Sequence, residues 1–191
     1  MKKQLVLIGG GHSHAIALKL WANHPLPNVE VTLLTDTRYT PYSGMLPGHV
    51  AGIYSFEETH IDLQGLAQFA QVKFLLDRAT GLNLKQNQVI CANSAPIRFD
   101  YLSLDIGSTP ETQTVKGASH YGIPAKPVPS FLQGWNTLLE TVSQAPETPL
   151  TISIVGGGAG GVELTLNMQY RLQNLLNAPV TFHLFQRQSQ L

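Results

Sequence analysis

Apolar positions along this chain fall into two copies of one pattern. Residues 4–8 (QLVLI) form a short β-rich apolar run that ends in the cluster Gly9-Gly10-Gly11. Apolar residues then recur at helical spacing over 15–21 (AIALKLW). Two prolines within 23–28 end that helix, and 29–34 (VEVTLL) is again β-rich. Strand, glycine turn, helix and strand within about 30 residues make one βαβ unit. The order returns near the end: a strand over 151–155, the turn Gly156-Gly157-Gly158-Ala159-Gly160-Gly161, a helix over 162–176 stopped by Asn177 and Pro179, and a strand over 180–185.

Between the copies, 40–48 (TPYSGMLPG) holds two Pro and two Gly and is expected as an ordered loop. Asp62 is placed to cap a helix running to about Ala70, followed by a strand over 72–76. Residues 79–84, 88–92 and 97–99 read as short antiparallel strands, and 101–106 as a strand ending at Gly107. Phe131, Leu132, Trp135, Leu138, Leu139 and Val142 share one face of a helix over 130–144, and 145–149, with two Pro, reads as a linker. The fold class is therefore α/β, a three-layer Rossmann-like arrangement. The first domain spans residues 1–145, with its antiparallel strands at 79–99. The start of a second, incomplete domain occupies 151–191.

Composition narrows the function classes. Twelve Lys+Arg balance twelve Asp+Glu in 191 residues, which excludes the basic footprint of a nucleic-acid binder. The charged fraction of 13% is about half the usual quarter. One Cys leaves no disulfide, no Cys-only zinc cluster and no redox-active Cys pair within these residues. The leading apolar run is shorter than the roughly 7–15 residues of a signal h-region, and no stretch reaches the ~18 that span a bilayer. The chain is expected to be cytoplasmic, with peripheral membrane contact left open.

The glycine turns carry the chemistry. A helix N-terminus offers unpaired N–H groups and partial positive charge to a phosphate, and glycines let the backbone come close to it. Gly156, Gly158 and Gly161 complete G-x-G-x-x-G after a strand and before a helix, the context that makes the motif meaningful. In the first copy Gly9 and Gly11 match, but His14 stands where the third Gly or Ala would permit close helix–strand packing. His14 is expected to turn outward, where its ring could donate to a phosphate, with His12 beside it. His12-x-His14 has no third ligand in sequence, so no metal site is assigned. Asp36, just after the second strand, is the candidate for the ribose hydroxyls, although Thr35 competes for the strict register. The second copy has Gln186-Arg187 there instead of an acid. Two such turns 147 positions apart suggest two dinucleotides, FAD first and NAD(P)H second.

These residues, together with 31–34 (VTLL), 101–110 (YLSLDIGSTP) and 154–164 (IVGGGAGGVEL), resemble the two-dinucleotide flavoprotein superfamily of pyridine nucleotide-disulfide oxidoreductases. Within it, the branch of single-subunit NADH dehydrogenases, which lack redox cysteines, is the most similar. The resemblance implies that Gly107 and Ser108 stand at the family's Ala-Thr-Gly strand end beside the flavin dinucleotide, with Asp105-Ile106 replacing Ala-Thr. It implies that Glu163 lies near the nicotinamide; the other reading is a first-turn carboxylate favoured by the helix dipole. The 40–48 loop is also similar to the reductase-like amino-terminal part of selenide, water dikinase fusions, and by that similarity Pro41 and Gly44 line the flavin ring.

The implied function is an FAD-dependent oxidoreductase that passes a hydride from NAD(P)H to flavin and on to a small-molecule or quinone-type acceptor. The alternative is a non-catalytic nucleotide-binding module of a larger fusion. No general acid, base or nucleophile is identifiable. The second domain is expected to be truncated, so residues 1–191 alone are expected to lack turnover and to self-associate. Because Gln186 offers no carboxylate to repel a 2′-phosphate, kcat/KM in a protein that turns over should favour NADH over NADPH by less than about 100-fold, or ~2.7 kcal/mol. A larger measured preference contradicts this reading.

Overall fold

The computed structural model describes residues 2–110 and 114–187. In chain order the elements are β1 (Lys3–Ile8), α1 (His12–Asn23), β2 (Val29–Thr35), β3 (Tyr39–Pro41), α2 (Leu46–Val50), α3 (Phe56–Thr59), β4 (His60–Asp62), α4 (Leu63–Phe69) and β5 (Lys73–Leu76). They continue as β6 (Ala79–Asn83), β7 (Gln88–Cys91), β8 (Ile97–Arg98), β9 (Tyr101–Leu104), α5 (Ala118–Tyr121), α6 (Val128–Ser143), β10 (Leu150–Val155), α7 (Ala159–Gln173) and β11 (Val180–Phe185). The chain forms two compact units, Met1–Thr40 with His60–Gly107, and Pro41–Thr59 with Ser108–Leu191.

The first unit is built on a parallel sheet in the order β5-β2-β1-β9. Strand order reverses at β1, because β2 and β5 extend to one side and β9 to the other. In open parallel sheets that reversal opens a crevice at the carboxyl ends of the strands. The near-continuous apolar sequences of β1 and β2 follow from burial on both faces. Leu7, Val31 and Leu33 pack against Leu18 of α1 and Leu63 of α4. Val6, Ile8 and Leu34 face the other way, onto Val89 of the antiparallel sheet β6-β7-β8 and onto Phe99. Helices, parallel sheet and antiparallel sheet are the three layers that the sequence implied. Cys91 packs at the edge of the second cluster, where burial, followed by the charge of Asp77, pushes its thiol up.

The second unit holds the parallel pair β10-β11. Alternation in β10 sends Leu150, Ile152 and Ile154 into a core with Val128, Phe131, Leu132 and Trp135 of α6 and Leu164, Met168 and Leu172 of α7. The opposite face is open, with Val155 87% exposed. Helix α6, assigned from sequence to a first domain over 1–145, belongs to this unit because its apolar stripe is completed by α7. The 40–48 loop also differs from the expectation. It contains a 3-10 turn over Ser43–Met45 and α2, with Pro47 in the first helical turn, where a missing N–H costs nothing. Leu46 and Val50 of α2, four residues apart on one face, join the α6–α7 core.

Two carboxylates organise the loops of the first unit. Asp62 caps α4 through the Gln64 and Gly65 amides at 3.1 and 3.2 Å and receives the Arg38 guanidinium at 3.1 and 2.8 Å. The Arg38 bonds, followed by the Gly65 amide, hold its carboxyl at about 2. Asp77, 5% exposed, accepts from the amides of Arg78 (2.7 Å), Asn93 (3.1 Å) and Ser94 (2.8 Å) and from the Asn93 side chain (3.1 Å). The Ser94 side-chain hydrogen bond is the largest of the causes that depress its carboxyl below the usual range. A depressed folded value means that the ionised form favours the fold. This contribution is present above the ordinary carboxylate value and is lost as pH falls through the folded one. The urea midpoint should therefore fall on acidification below about pH 4. Asp77→Asn should lower the midpoint at pH 7 and flatten its acid dependence. Parallel acid profiles for the two proteins would contradict this assignment.

Candidate functional site

The two glycine turns are the same structure built twice. In the first, the Gly9 amide donates to the Leu34 carbonyl at 2.8 Å, and the Ala15 amide to the Gly11 carbonyl at 3.0 Å. In the second, the Gly156 amide donates to the Phe185 carbonyl at 2.8 Å, and the Val162 amide to the Gly158 carbonyl at 3.1 Å. Gly9 and Gly156 take φ of +92° and +123°, which only glycine adopts without strain. Gly11 and Gly158 are the N-caps of α1 and α7, both extended (φ −66°, ψ 172° and φ −73°, ψ 169°), and neither supplies a side-chain cap. Each turn thus aims a helix N-terminus past the carboxyl end of its strand, the arrangement that receives a phosphate.

The third motif position differs between the copies. A Cβ on Gly161 would run into the Gly156 carbonyl oxygen, so this glycine is required for the close packing of α7 on the turn. His14 occupies the same place in the first copy and does not turn outward as the sequence suggested. Its ring is buried (3% exposed), with Nδ1 2.7 Å from the Gly9 carbonyl oxygen and Nε2 2.8 Å from Ser103 Oγ. The carbonyl can only accept, so Nδ1 carries the proton and donates. In the neutral ring Nε2 then accepts from the Ser103 hydroxyl. His14 therefore ties turn, helix and β9 together from inside. His12, the first residue of α1, is half-buried, and no group of three or more potential metal ligands is present among the described residues.

Asp105 stands out in the sequence only as a departure from the family's Ala-Thr-Gly strand end, with no role assigned to it. Its amide donates to the Ile8 carbonyl at 2.8 Å, and its carbonyl accepts from the Gly11 amide at 3.2 Å. Its carboxylate accepts from the His14 amide at 3.2 Å, supplying to α1 the cap that Gly11 lacks. A Cβ on Gly11 would meet this carboxylate. At the second turn, by contrast, no described residue lies within 4 Å of a Cβ on Gly158. The second turn therefore fits a phosphate directly, whereas the first fits one once the Asp105 side chain gives way.

Asp36 follows β2 and is exposed, while Thr35 is buried with its hydroxyl donating to the Thr37 carbonyl at 3.2 Å. Of the two, only Asp36 faces solvent at the strand end. It lines a cavity of about 320 Å³ with Leu76, Asp77, Arg78, Ala92 and Asn93, whose wall is fixed by the Asp77 network. Gly107 and Ser108 follow β9 as exposed residues, Gly107 with φ +72°. Pro41 and Gly44 fall in the second unit. Pro41 closes β3, and Gly44 sits against the Tyr42 ring, 3.1 Å from a Cβ position. Glu163 is exposed and is the fifth residue of α7, beyond the first turn, where the dipole effect has faded; the first-turn reading does not hold. Gln186 lies over the second turn, its Cβ 2.9 Å from a Cβ position on Gly157, and Arg187 is exposed.

Residues 3–181 match the family model for pyridine nucleotide-disulphide oxidoreductases. Sulfide-quinone reductase of Aquifex aeolicus (strain VF5) is 27% identical over 107 residues, 56% of this chain and 25% of that protein. The NADH dehydrogenase-like protein YutJ of Bacillus subtilis (strain 168) is 24% identical over 172 residues, 87% of this chain and 45% of that protein. The chain thus spans less than half the length of these curated relatives. The solved structure of NDH2 from Plasmodium falciparum in complex with NADH superposes with a TM-score of 0.71 at 17% identity, covering 94% of this chain and 42% of that one. The likeness to selenide, water dikinase fusions finds no support among these relatives. The family implies FAD and NAD(P)H as cofactors. With a family match over nearly its whole length and a glycine turn at each of two βαβ units, the chain belongs to the pyridine nucleotide-disulphide oxidoreductases.

Proposed function

We propose that the chain is the dinucleotide-binding part of an FAD-dependent NAD(P)H oxidoreductase, with FAD at the Gly9–His14 turn and NAD(P)H at the Gly156–Gly161 turn. The observation that carries this reading is the repetition of one hydrogen-bonded turn, with the same donor and acceptor positions, in two units. When bound, the cofactors supply hydride transfer from nicotinamide to flavin and onward release of electrons. The chain's own residues supply binding and orientation. The α1 and α7 N-termini receive pyrophosphates, Asp36 accepts from ribose hydroxyls over the neighbouring cavity, and His14 with Ser103 keeps the first turn in shape. Gly107, Ser108 and Glu163 are proposed to border the cofactors by position in the motif. A quinone-type acceptor is supported by the sulfide-quinone reductase relative. Cytoplasmic action with peripheral membrane contact is part of this reading; no helix among the described residues is long and apolar enough to cross a membrane.

The second turn gives the cleanest test, because Gly158 and Gly161 separate phosphate approach from packing. Gly158→Ala places its methyl clear of the described residues, on a backbone that any residue adopts, so the thermal midpoint should fall by no more than about 4 °C, the scale of replacing Gly by Ala at an N-cap. NADPH affinity should nevertheless fall ~10-fold or more, from loss of close backbone approach. Gly161→Ala should instead destabilise the fold by ~1–3 kcal/mol, the usual cost of overpacking. Calorimetric titration with NADPH and thermal unfolding read the two effects. Unchanged NADPH affinity in a stable Gly158→Ala protein contradicts the assignment.

A further inference from the structure

We propose that the Asp105 carboxylate is a resident anion of the first glycine turn. By competing with the dinucleotide pyrophosphate, it sets the affinity of that turn for FAD. This inference rests on the assignment of FAD to the first turn and adds a specificity-determining residue to it.

Three observations converge. The carboxylate lies on the side of Gly11 where a Cβ would project, which is the side that a glycine keeps clear for a phosphate. It accepts from the His14 amide at 3.2 Å, one of the α1 N-terminal donors that a phosphate would use. Among the described residues the second turn carries no such group: the space beyond Gly158 is open to 4 Å. A carboxylate and a pyrophosphate seek the same partial positive charge at a helix N-terminus, and like charges there repel.

The geometry also says how the competition resolves. The Asp105 backbone is fixed just past the end of β9, its amide on the Ile8 carbonyl at 2.8 Å and its carbonyl on the Gly11 amide at 3.2 Å. Among the described residues the side chain has one amide partner, at the long end of the hydrogen-bond range. Displacement is therefore a rotamer change of one side chain that leaves the strand, the turn and the His14–Ser103 link in place. Without a dinucleotide, Asp105 caps a helix whose N-cap residue has no side chain. With one bound, the phosphate takes over that task.

The test measures FAD binding by quenching of flavin fluorescence in the 191-residue chain and in Asp105→Asn and Asp105→Ala, with thermal midpoints recorded with and without FAD. Asp105→Asn keeps the shape and removes the charge; Asp105→Ala removes both. Affinity should rise in the order Asp, Asn, Ala, by about 10-fold overall, the scale of one lost competing contact. The FAD-free midpoint should fall in Asp105→Ala, and FAD should raise the midpoint more in the variants than in the wild type. Equal affinities for FAD in all three proteins overturn the proposal and leave FAD at the first turn intact. Weaker binding in Asp105→Ala also overturns it, and makes Asp105 a group that supports the dinucleotide. Three folded proteins that bind no FAD overturn both this proposal and the assignment of FAD to the first turn.

Discussion

The structure depends on one local constraint: a glycine amide that hydrogen-bonds across to the end of the neighbouring parallel strand while the chain reverses into a helix. The Gly9–Leu34 and Gly156–Phe185 bonds, both 2.8 Å, fix where each helix begins relative to its sheet. Positive φ at the first glycine makes the reversal possible, and an extended second glycine at the N-cap leaves the helix amides without a side chain in front of them. From that constraint follow the crevice at the strand ends, the charge that the helix presents there and the chemistry that suits it.

The two copies solve the same packing problem differently. In the second, Gly161 lets α7 approach until the Gly156 carbonyl touches the space a Cβ would fill. In the first, a histidine stands in that position, and its ring becomes a strut between the Gly9 carbonyl and Ser103. The second copy leaves the phosphate side of its N-cap open, whereas the first closes it with Asp105. One turn is held by close backbone contact; the other is held by side chains, one of them charged.

Much of this was legible in the sequence because the signals are local. Glycine spacing after a β-rich run located both turns, Asp62 announced the start of α4, and the βαβ order implied a three-layer arrangement. What escaped was non-local. Asp105 lies 91 residues from the amide it caps, so nothing near His14 signals it. The inward turn of the His14 ring depends on Ser103, 89 residues away. Helix α2 was hidden by its Pro and Gly, because a proline in the first helical turn looks like a loop signal until Leu46 and Val50 are seen buried. The membership of α6 in the second unit follows from contacts with α7, which no periodicity within α6 encodes.

The central claim is that each turn receives its own dinucleotide. Hydrogen–deuterium exchange, followed peptide by peptide with FAD alone and with NADPH alone, tests it most directly. FAD should slow exchange across residues 9–15 and leave 156–162 unchanged, and NADPH should do the reverse, since bound phosphates take up the exposed helix amides. Protection of the same turn by both ligands, or of neither turn by either, would contradict the account.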